Sequence, residues 1–176
     1  RHSTDERLTP SQNYGVVSQL EYMRMTGSKI VLADKGLDDW KHVEPNDFII
    51  SLRSFQGGLE MSRVIGCVTW HYIVTRARKP ICFDYFRFAF KSTRYIDALR
   101  STCQYLRDGQ DLRFSNFIQV PLPIPPIEEQ RRIADYLDER CAQIDRAIAA
   151  KRAIIADLKA YKQSLIYEVV TGKREV

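Results

Sequence analysis

The sequence predicts a mixed α+β domain followed by one long α-helix that forms a coiled coil. Three observations in the 176-residue chain predict this fold class. Short runs rich in β-branched and aromatic residues occupy the first two thirds, a cluster of prolines follows, and a long stretch then lacks both proline and glycine. We therefore assign residues 1–126 to the domain and residues 127–176 to the helix.

Five short runs in the domain are predicted to be strands, because they combine β-branched and aromatic side chains. They cover residues 28–32, 47–52, 64–69, 71–75 and 117–120. Turn residues such as Gly57-Gly58 and Lys79-Pro80 separate several of them. Residues 83–104 instead place apolar side chains at helical spacing, so we expect one helix there.

A proline strap separates the domain from the helix, since four of the seven prolines fall within residues 121–126. Proline fixes φ and biases the preceding residue toward extended geometry, so this segment cannot be helical. A helix is expected to begin at Ile127, where Glu128 and Glu129 would lie at its positive end.

From Ile127 to about Val170 the chain carries a heptad pattern of apolar residues. The a positions are Ala134, Cys141, Ile148, Ile155, Lys162 and Val169, and the d positions are Leu137, Ile144, Lys151, Leu158 and Leu165. All of these except the two lysines are apolar, whereas charged and amide side chains fill most other positions. A single helix cannot cover its own seam, so the pattern implies a partner helix.

Positive charge is concentrated in the middle of the chain. The whole sequence has 27 basic residues (Lys and Arg) against 22 acidic residues, a formal net charge of +5. Residues 53–113 alone contain 11 basic and 5 acidic residues, a net charge of +6. Residues 1–52 carry −2 and residues 114–176 carry +1. A basic region of this kind suits a polyanionic partner such as nucleic acid.

Three loops in the basic region, residues 53–58, 76–79 and 107–113, have the composition of a nucleic-acid reading surface. Each loop taken alone favours a solvated turn, but three of them in one basic domain favour nucleic-acid binding. Arg and Gln suit the edges of guanine and adenine, and glycines allow a close backbone approach. The base-reading candidates are therefore Arg53, Ser54, Gln56, Arg107, Gln110 and Arg113. The phosphate-contact candidates are Arg63, Arg76, Arg78 and Lys79.

The sequence contains no complete active site. A nuclease motif built on Asp34 and Asp39-Trp40-Lys41 is unsuitable because the carboxylates lie too close together in a predicted surface turn. Walker, G-x-G-x-x-G and G-x-S-x-G motifs are absent. The four cysteines and three histidines have no zinc-like spacing, so we expect reduced thiols in a cytoplasmic protein and no bound metal. No run approaches the ~20 apolar residues of a membrane helix.

The junction between domain and helix resembles a known family. Residues 120–133, Val-Pro-Leu-Pro-Ile-Pro-Pro-Ile-Glu-Glu-Gln-Arg-Arg-Ile, resemble the P-P-x-x-E-Q-x-x-I junction of type I restriction–modification DNA-specificity (S) subunits. Residues 161–173 are similar to the end of that family's conserved helix, and residues 45–50 and 56–58 also fit. Residues 69–72 depart from the Ser-Pro-x-Tyr-like step of many members.

The resemblance implies that the chain is not an enzyme but a DNA sequence-recognition subunit. Members of this family have two target recognition domains, each followed by a conserved helix, and the two helices pair antiparallel. Each domain reads one half of a split double-stranded DNA target. The helices dock methyltransferase (M) subunits, which flip out and methylate adenine with S-adenosylmethionine, and a motor-nuclease (R) subunit joins for cleavage. The resemblance thus assigns no cofactor to this chain.

With one domain and one helix, the chain corresponds to half of such a subunit. Its ending matches the family's C-terminal end, so we expect a C-terminal half or a half-length form, and the abrupt start at Arg1 leaves open a missing beginning. We expect an antiparallel homodimer. Its interface is predicted to contain Ile133, Leu137, Cys141, Ile144, Ile148, Ile155, Leu158, Leu165 and Val169.

Two other functions stay open at this stage. In the first, the coiled coil is an assembly module and the domain binds protein without reading DNA. In the second, which is less favoured, the chain is itself a nuclease or a methyltransferase.

Overall fold

The structure is a computed structural model that describes residues 2–29, 36–51, 54–103 and 112–175. The chain divides into two compact units, Arg1–Arg131 and Arg132–Val176. Short strands and helices make up the first unit, and most of one long helix makes up the second. The predicted mixed α+β architecture with a long C-terminal helix is thereby confirmed.

The elements follow one another in an irregular order. The first stretch contains β1 (Leu8–Ser11), β2 (Gly15–Ser18) and α1 (Gln19–Thr26). The middle stretch contains β3 (Lys41–Val43), β4 (Phe48–Ile50), α2 (Ser54–Gly57), β5 (Glu60–Met61), β6 (Gly66–Val68) and β7 (Ile73–Thr75). The last stretch contains α3 (Phe83–Ala89), α4 (Thr93–Thr102), α5 (Phe114–Phe117) and α6 (Ile127–Val170).

The described strands form three small antiparallel sheets. β1 pairs with β2, β3 pairs with β6, and β4 lies between β5 and β7. All three residues of β4 are buried, as expected for a central strand that reads as a continuous apolar run. The predictions at 47–52, 64–69 and 71–75 are confirmed by β4, β6 and β7.

Two groups of side chains form the core of the first unit. An aliphatic cluster consists of Leu8, Val16, Val43, Ile49 and Val68. An aromatic cluster consists of Phe48, Phe86, Phe90, Tyr95 and Phe117. The rings of Phe48 and Phe90 meet edge to face, with centroids 4.9 Å apart, an arrangement that adds to the stabilisation from burial. The aromatic cluster joins β4 to α3, α4 and α5.

The prediction of one helix over 83–104 is wrong, because α3 ends at Ala89 and α4 begins at Thr93. The Ser92 side chain accepts a hydrogen bond from the Tyr95 amide at 3.4 Å and so caps a new helix. Serine favours this role over the helix interior. The apolar spacing continues through the break because both helices face the same core.

The prediction of a strand over 117–120 is also wrong. Phe117 ends α5, and the following residues form a turn. The Asn116 side chain accepts a hydrogen bond from the Arg113 amide at 3.0 Å, a local contact that competes with strand pairing. Of the strand predicted at 28–32, residues 28 and 29 are not in a strand, and the remainder lies outside the described residues.

The long helix begins directly after the strap, as predicted. Gln130 is buried near its start: its side-chain oxygen accepts from the Cys82 amide at 2.9 Å, and its side-chain nitrogen donates to the Pro125 carbonyl at 2.8 Å. These bonds connect the first helical turn to the strap and to the residue before α3. The other end closes at Gly172, where φ is 70°, a conformation that favours glycine.

Tyr95 and Tyr85 form a matched pair for a stability test. The Tyr95 hydroxyl is buried and has no hydrogen-bond partner among the described residues, and burial raises the pKa of its phenol. The Tyr85 hydroxyl donates to the Pro123 carbonyl at 3.1 Å. We expect Tyr95→Phe to raise the free energy of unfolding by about 1 kcal/mol and Tyr85→Phe to lower it by a similar amount. Urea denaturation measures both, and equal losses would mean that the Tyr95 hydroxyl is paired.

Candidate nucleic-acid interface

The first candidate surface is the basic loop, residues 76–79, which follows β7. Arg76 leaves the strand and donates from Nε and Nη2 to the two carboxylate oxygens of Asp47, each at 2.7 Å. Asp47 is nearly fully buried and also accepts from the Glu44 amide at 2.9 Å. The hydrogen bond with Asp47 raises the pKa of Arg76 above its usual value. Arg76 is therefore held by a two-point contact that fixes the start of the loop.

Arg78 and Lys79 are exposed like Arg76, but unlike Arg76 they have no ion-pair partner among the residues that the structure describes. Their cationic groups lie two and three residues beyond the anchored arginine. An anchored loop that presents unpaired cations is suited to phosphate groups, since the charges need not leave an internal partner first. Of the four phosphate candidates, Arg63 and Arg76 form ion pairs with carboxylates, whereas Arg78 and Lys79 form none with the described residues.

A surface cavity of about 710 Å³ lies beside the basic loop. Its lining includes Arg76, Arg78 and the aromatic residues Phe48, Phe86, Phe90, Phe114 and Phe117. This cavity was not predicted from the sequence, because its lining residues are dispersed between positions 48 and 117. The only available signal was the high frequency of phenylalanine after residue 80, which is also expected of an ordinary core.

The second candidate surface is the loop that contains α2. Ser54 is buried, and its hydroxyl accepts from the Ser51 amide at 2.9 Å. That hydroxyl caps its own turn in this structure, so its role as a base reader stays a prediction. Gln56 is exposed. Gly58 has φ of 78°, and a Cβ there would overlap the carbonyl oxygen of Phe90, so the turn requires glycine.

Lys91 attaches the α2 loop to the end of α3. Its ammonium group donates to the Gly57 carbonyl at 3.0 Å and forms an ion pair with Glu60. Burial raises the pKa of Glu60, and the contact with Lys91 opposes that shift. Glu60 was not predicted as a functional residue from the sequence. Through Lys91, it helps to hold the α2 loop next to Phe90, which also lines the cavity beside the basic loop.

The remaining candidates have different surroundings. Arg63 forms an ion pair with Asp84, which also contacts Arg87 at 3.3 Å. Arg113 is exposed and directly precedes α5. Arg53, Arg107 and Gln110 lie outside the described residues.

In the described part of the chain, the histidine, cysteine and carboxylate side chains include no group of three that is placed to hold a metal ion. None of its helices has both the length and the apolar character needed to cross a membrane.

The comparisons with known proteins agree on one family. Residues 10–160 match the type I restriction modification DNA specificity domain. The chain is 30% identical to the EcoKI specificity subunit of Escherichia coli (strain K12) over 100 residues, which is 57% of this chain and 21% of that protein. It is 24% identical to the putative MjaX specificity subunit of Methanocaldococcus jannaschii over 139 residues, or 77% of this chain and 31% of that protein.

Among solved structures, the HsdS subunit from Thermoanaerobacter tengcongensis matches 73% of this chain and 30% of its own, with a TM-score of 0.48 and 24% sequence identity. The chain thus covers less than a third of each of these three proteins. Because the family match extends over residues 10–160, the chain belongs to the type I restriction modification DNA specificity domain family.

Proposed function

We propose that this chain is a non-catalytic DNA sequence-recognition part of a type I restriction–modification enzyme. Its domain would read one half of a split double-stranded DNA target and position M subunits that methylate adenine. The observation that carries the proposal is the exposed pair Arg78 and Lys79 on an anchored loop, within a chain that belongs to a DNA specificity family. The relatives are themselves named as specificity subunits.

The proposed contacts divide into two classes. Arg78 and Lys79 would bind phosphates, while Gln56 and Arg113 are the exposed members of the base-reading set. Arg53, Arg107 and Gln110 stay in that set as predictions from the sequence. Phosphate contacts would place the domain on the duplex, and base contacts would carry the specificity.

The proposed partner of α6 is the same helix of a second copy. Apolar side chains along it are largely exposed within one chain, for example Ile144 at 57% and Leu158 at 61%. Exposed apolar residues at heptad spacing favour pairing. Each domain precedes its own helix along the chain, so antiparallel pairing would carry the two domains to opposite ends of the helix pair.

In the proposed complex, other subunits carry out methylation and cleavage. S-adenosylmethionine would be bound by the M subunits and not by this chain, and an R subunit would be needed for cleavage. The exposed seam of α6 also favours a second candidate, in which the chain is an assembly module that does not read DNA.

Selection from a randomised DNA duplex tests the proposal. We expect the chain with its M subunits to enrich two half-sites in inverted orientation, because two identical domains related by a two-fold axis must read the same half-sequence on opposite strands. Mapping of methylated adenines in the assembled enzyme should place them in the same half-sites.

The control is selection with the M subunits alone, which should enrich no such half-site. Retained M-subunit binding without enrichment would favour the assembly module. Metal-dependent cleavage or methyl transfer by the isolated chain would contradict the non-catalytic role.

A further inference from the structure

The starting observation is a pattern of charge beside the apolar seam of α6. From Ala134 onward, the e positions of the heptads hold four charged residues, Asp138, Asp145, Arg152 and Lys159, followed by Ile166. The two acidic residues occupy the first half of the helix, and the two basic residues occupy the second half. All four side chains are exposed, as is most of the seam between them. A helix charged in this way is complementary to a reversed copy of itself.

The lysines within the seam argue against the parallel arrangement. In a parallel, in-register pair, each seam residue meets its own equivalent. Lys151 would then face Lys151, and Lys162 would face Lys162. An antiparallel pair instead places a positions against d positions, so each lysine meets an aliphatic residue and its long stem can carry the charge to solvent.

One antiparallel register places each of the four flanking charges opposite a residue of opposite sign. When the two-fold axis passes between Ala149 and Ala150, Asp145 lies against Arg152 of the second copy. Asp138 then lies against Lys159 of the second copy, and symmetry repeats both pairs. A shift of one heptad in one direction opposes Asp145 to itself, and the opposite shift opposes Arg152 to itself. Like charges opposed in this way are destabilising.

Helix length favours the same register. α6 covers Ile127–Val170, and its midpoint lies next to Ala149. The two helices therefore overlap over almost their entire length, and no apolar seam residue is left beyond the end of its partner. A heptad shift would expose one turn or more of seam at each end, with a corresponding loss of buried apolar area.

We propose that two copies of this chain pair through α6 in the register centred between Ala149 and Ala150. In this register Cys141 faces Leu158 of the second copy, and Ile144 faces Ile155 of the second copy. The occupant of the exposed seam is a second copy because charges on one sequence complement each other. The inference rests on the antiparallel pairing proposed above and adds its register and the residues that specify it.

Cysteine cross-linking of the full chain reads the register directly. We expect Leu158→Cys to give a cross-linked dimer with a short thiol-specific reagent, and peptide mapping to join positions 141 and 158. Leu165→Cys and Lys151→Cys are matched controls, because each would face Cys141 only after a shift of one heptad. A link from Cys141 to either control position, or between two copies of Cys141 in the unchanged chain, would overturn the register.

Charge exchange provides an independent arm that does not involve the seam. Asp145→Arg would oppose two arginines across each half of the dimer, and we expect it to weaken dimerisation by on the order of tenfold. The double variant Asp145→Arg/Arg152→Asp restores opposite charges and should recover dimerisation to within about threefold. Equal weakening in both variants would contradict the proposed pairs.

These outcomes are separate from the test of DNA recognition. A monomer by sedimentation at tens of micromolar would overturn both the register and the homodimer. A dimer that cross-links at a control position would overturn the register alone. Enrichment of a single half-site depends on the domain and would survive either result, whereas the inverted pair of half-sites requires the homodimer. A failure to enrich any half-site would not alter the cross-links.

Discussion

A chain in which Arg78 and Lys79 are both changed to glutamate should bind duplex DNA on the order of 50-fold more weakly than the unchanged chain at 0.1 M salt. Each cation that contacts a phosphate releases counterions, so losing two contacts should also reduce the slope of log affinity against log salt by about 2. The difference between the two chains should largely disappear near 1 M salt. Fluorescence anisotropy over a salt series, with and without M subunits, measures both quantities.

The control must separate local contacts from the change in total charge. Arg24→Glu/Lys29→Glu changes the net charge by the same amount at two exposed positions in the acidic N-terminal third of the chain. We expect it to retain most of the DNA affinity and of the salt slope. Arg76 is kept in both variants, because a glutamate there would lie beside the buried Asp47 and destabilise the loop. Equal losses in the two double variants would contradict a phosphate role for Arg78 and Lys79.

Gly58→Ala should lower the free energy of unfolding by about 3 kcal/mol or more. Its φ of 78° disfavours any residue with a Cβ, and the added atom would overlap the carbonyl oxygen of Phe90. Relief requires movement of α2 or of the end of α3, which Lys91 connects through its hydrogen bond to the Gly57 carbonyl. The aromatic cluster around Phe90 would lose packing at the same time. Urea denaturation at one protein concentration measures the loss.

Gly27→Ala is the matched control because it has the same kind of backbone without the steric conflict. Gly27 follows α1 with φ of 68°, and no atom lies within 4 Å of the position that a Cβ would take. We expect it to cost about 1 kcal/mol, the conformational part alone. If Gly58→Ala cost no more than Gly27→Ala, the close approach to Phe90 would not contribute to stability.

Strands and helices of the domain could be predicted only in part. The runs that became β4, β6 and β7 were found because buried strands read as short apolar sequences. The strand predicted at 117–120 and the single helix predicted at 83–104 failed for one common reason. In each case a small polar residue, Asn116 or Ser92, accepts a backbone hydrogen bond and changes the local structure.

β1, β2, β3 and β5 were not predicted. β1 and β2 form a local hairpin that contains Pro10 and Gly15, two residue types that are depleted in strands. β5 has only two residues, and β3 pairs with the more distant β6.

The structure gives a physical reason for the glutamine in the P-P-x-x-E-Q-x-x-I motif at the junction. Gln130 is the glutamine of the E-Q pair, and its side chain bonds both to the Pro125 carbonyl and to the Cys82 amide. One of these contacts spans 48 residues. In the sequence, Gln130 is distinguished only by its match to the family motif. The structure explains why an amide side chain, which can donate and accept hydrogen bonds at the same time, is suited to this position.

By itself the sequence determined where the long helix begins and ends, which of its residues carry the apolar heptad pattern, and which third of the chain carries the positive charge. These properties depend on proline geometry, periodicity and composition, all of which are local along the chain. Only the tertiary structure decided which cations of the basic loop are exposed without an ion-pair partner. Arg76 and Arg78 look equivalent in the sequence. Their difference arises from Asp47, a buried carboxylate 29 residues earlier that meets Arg76 across paired strands.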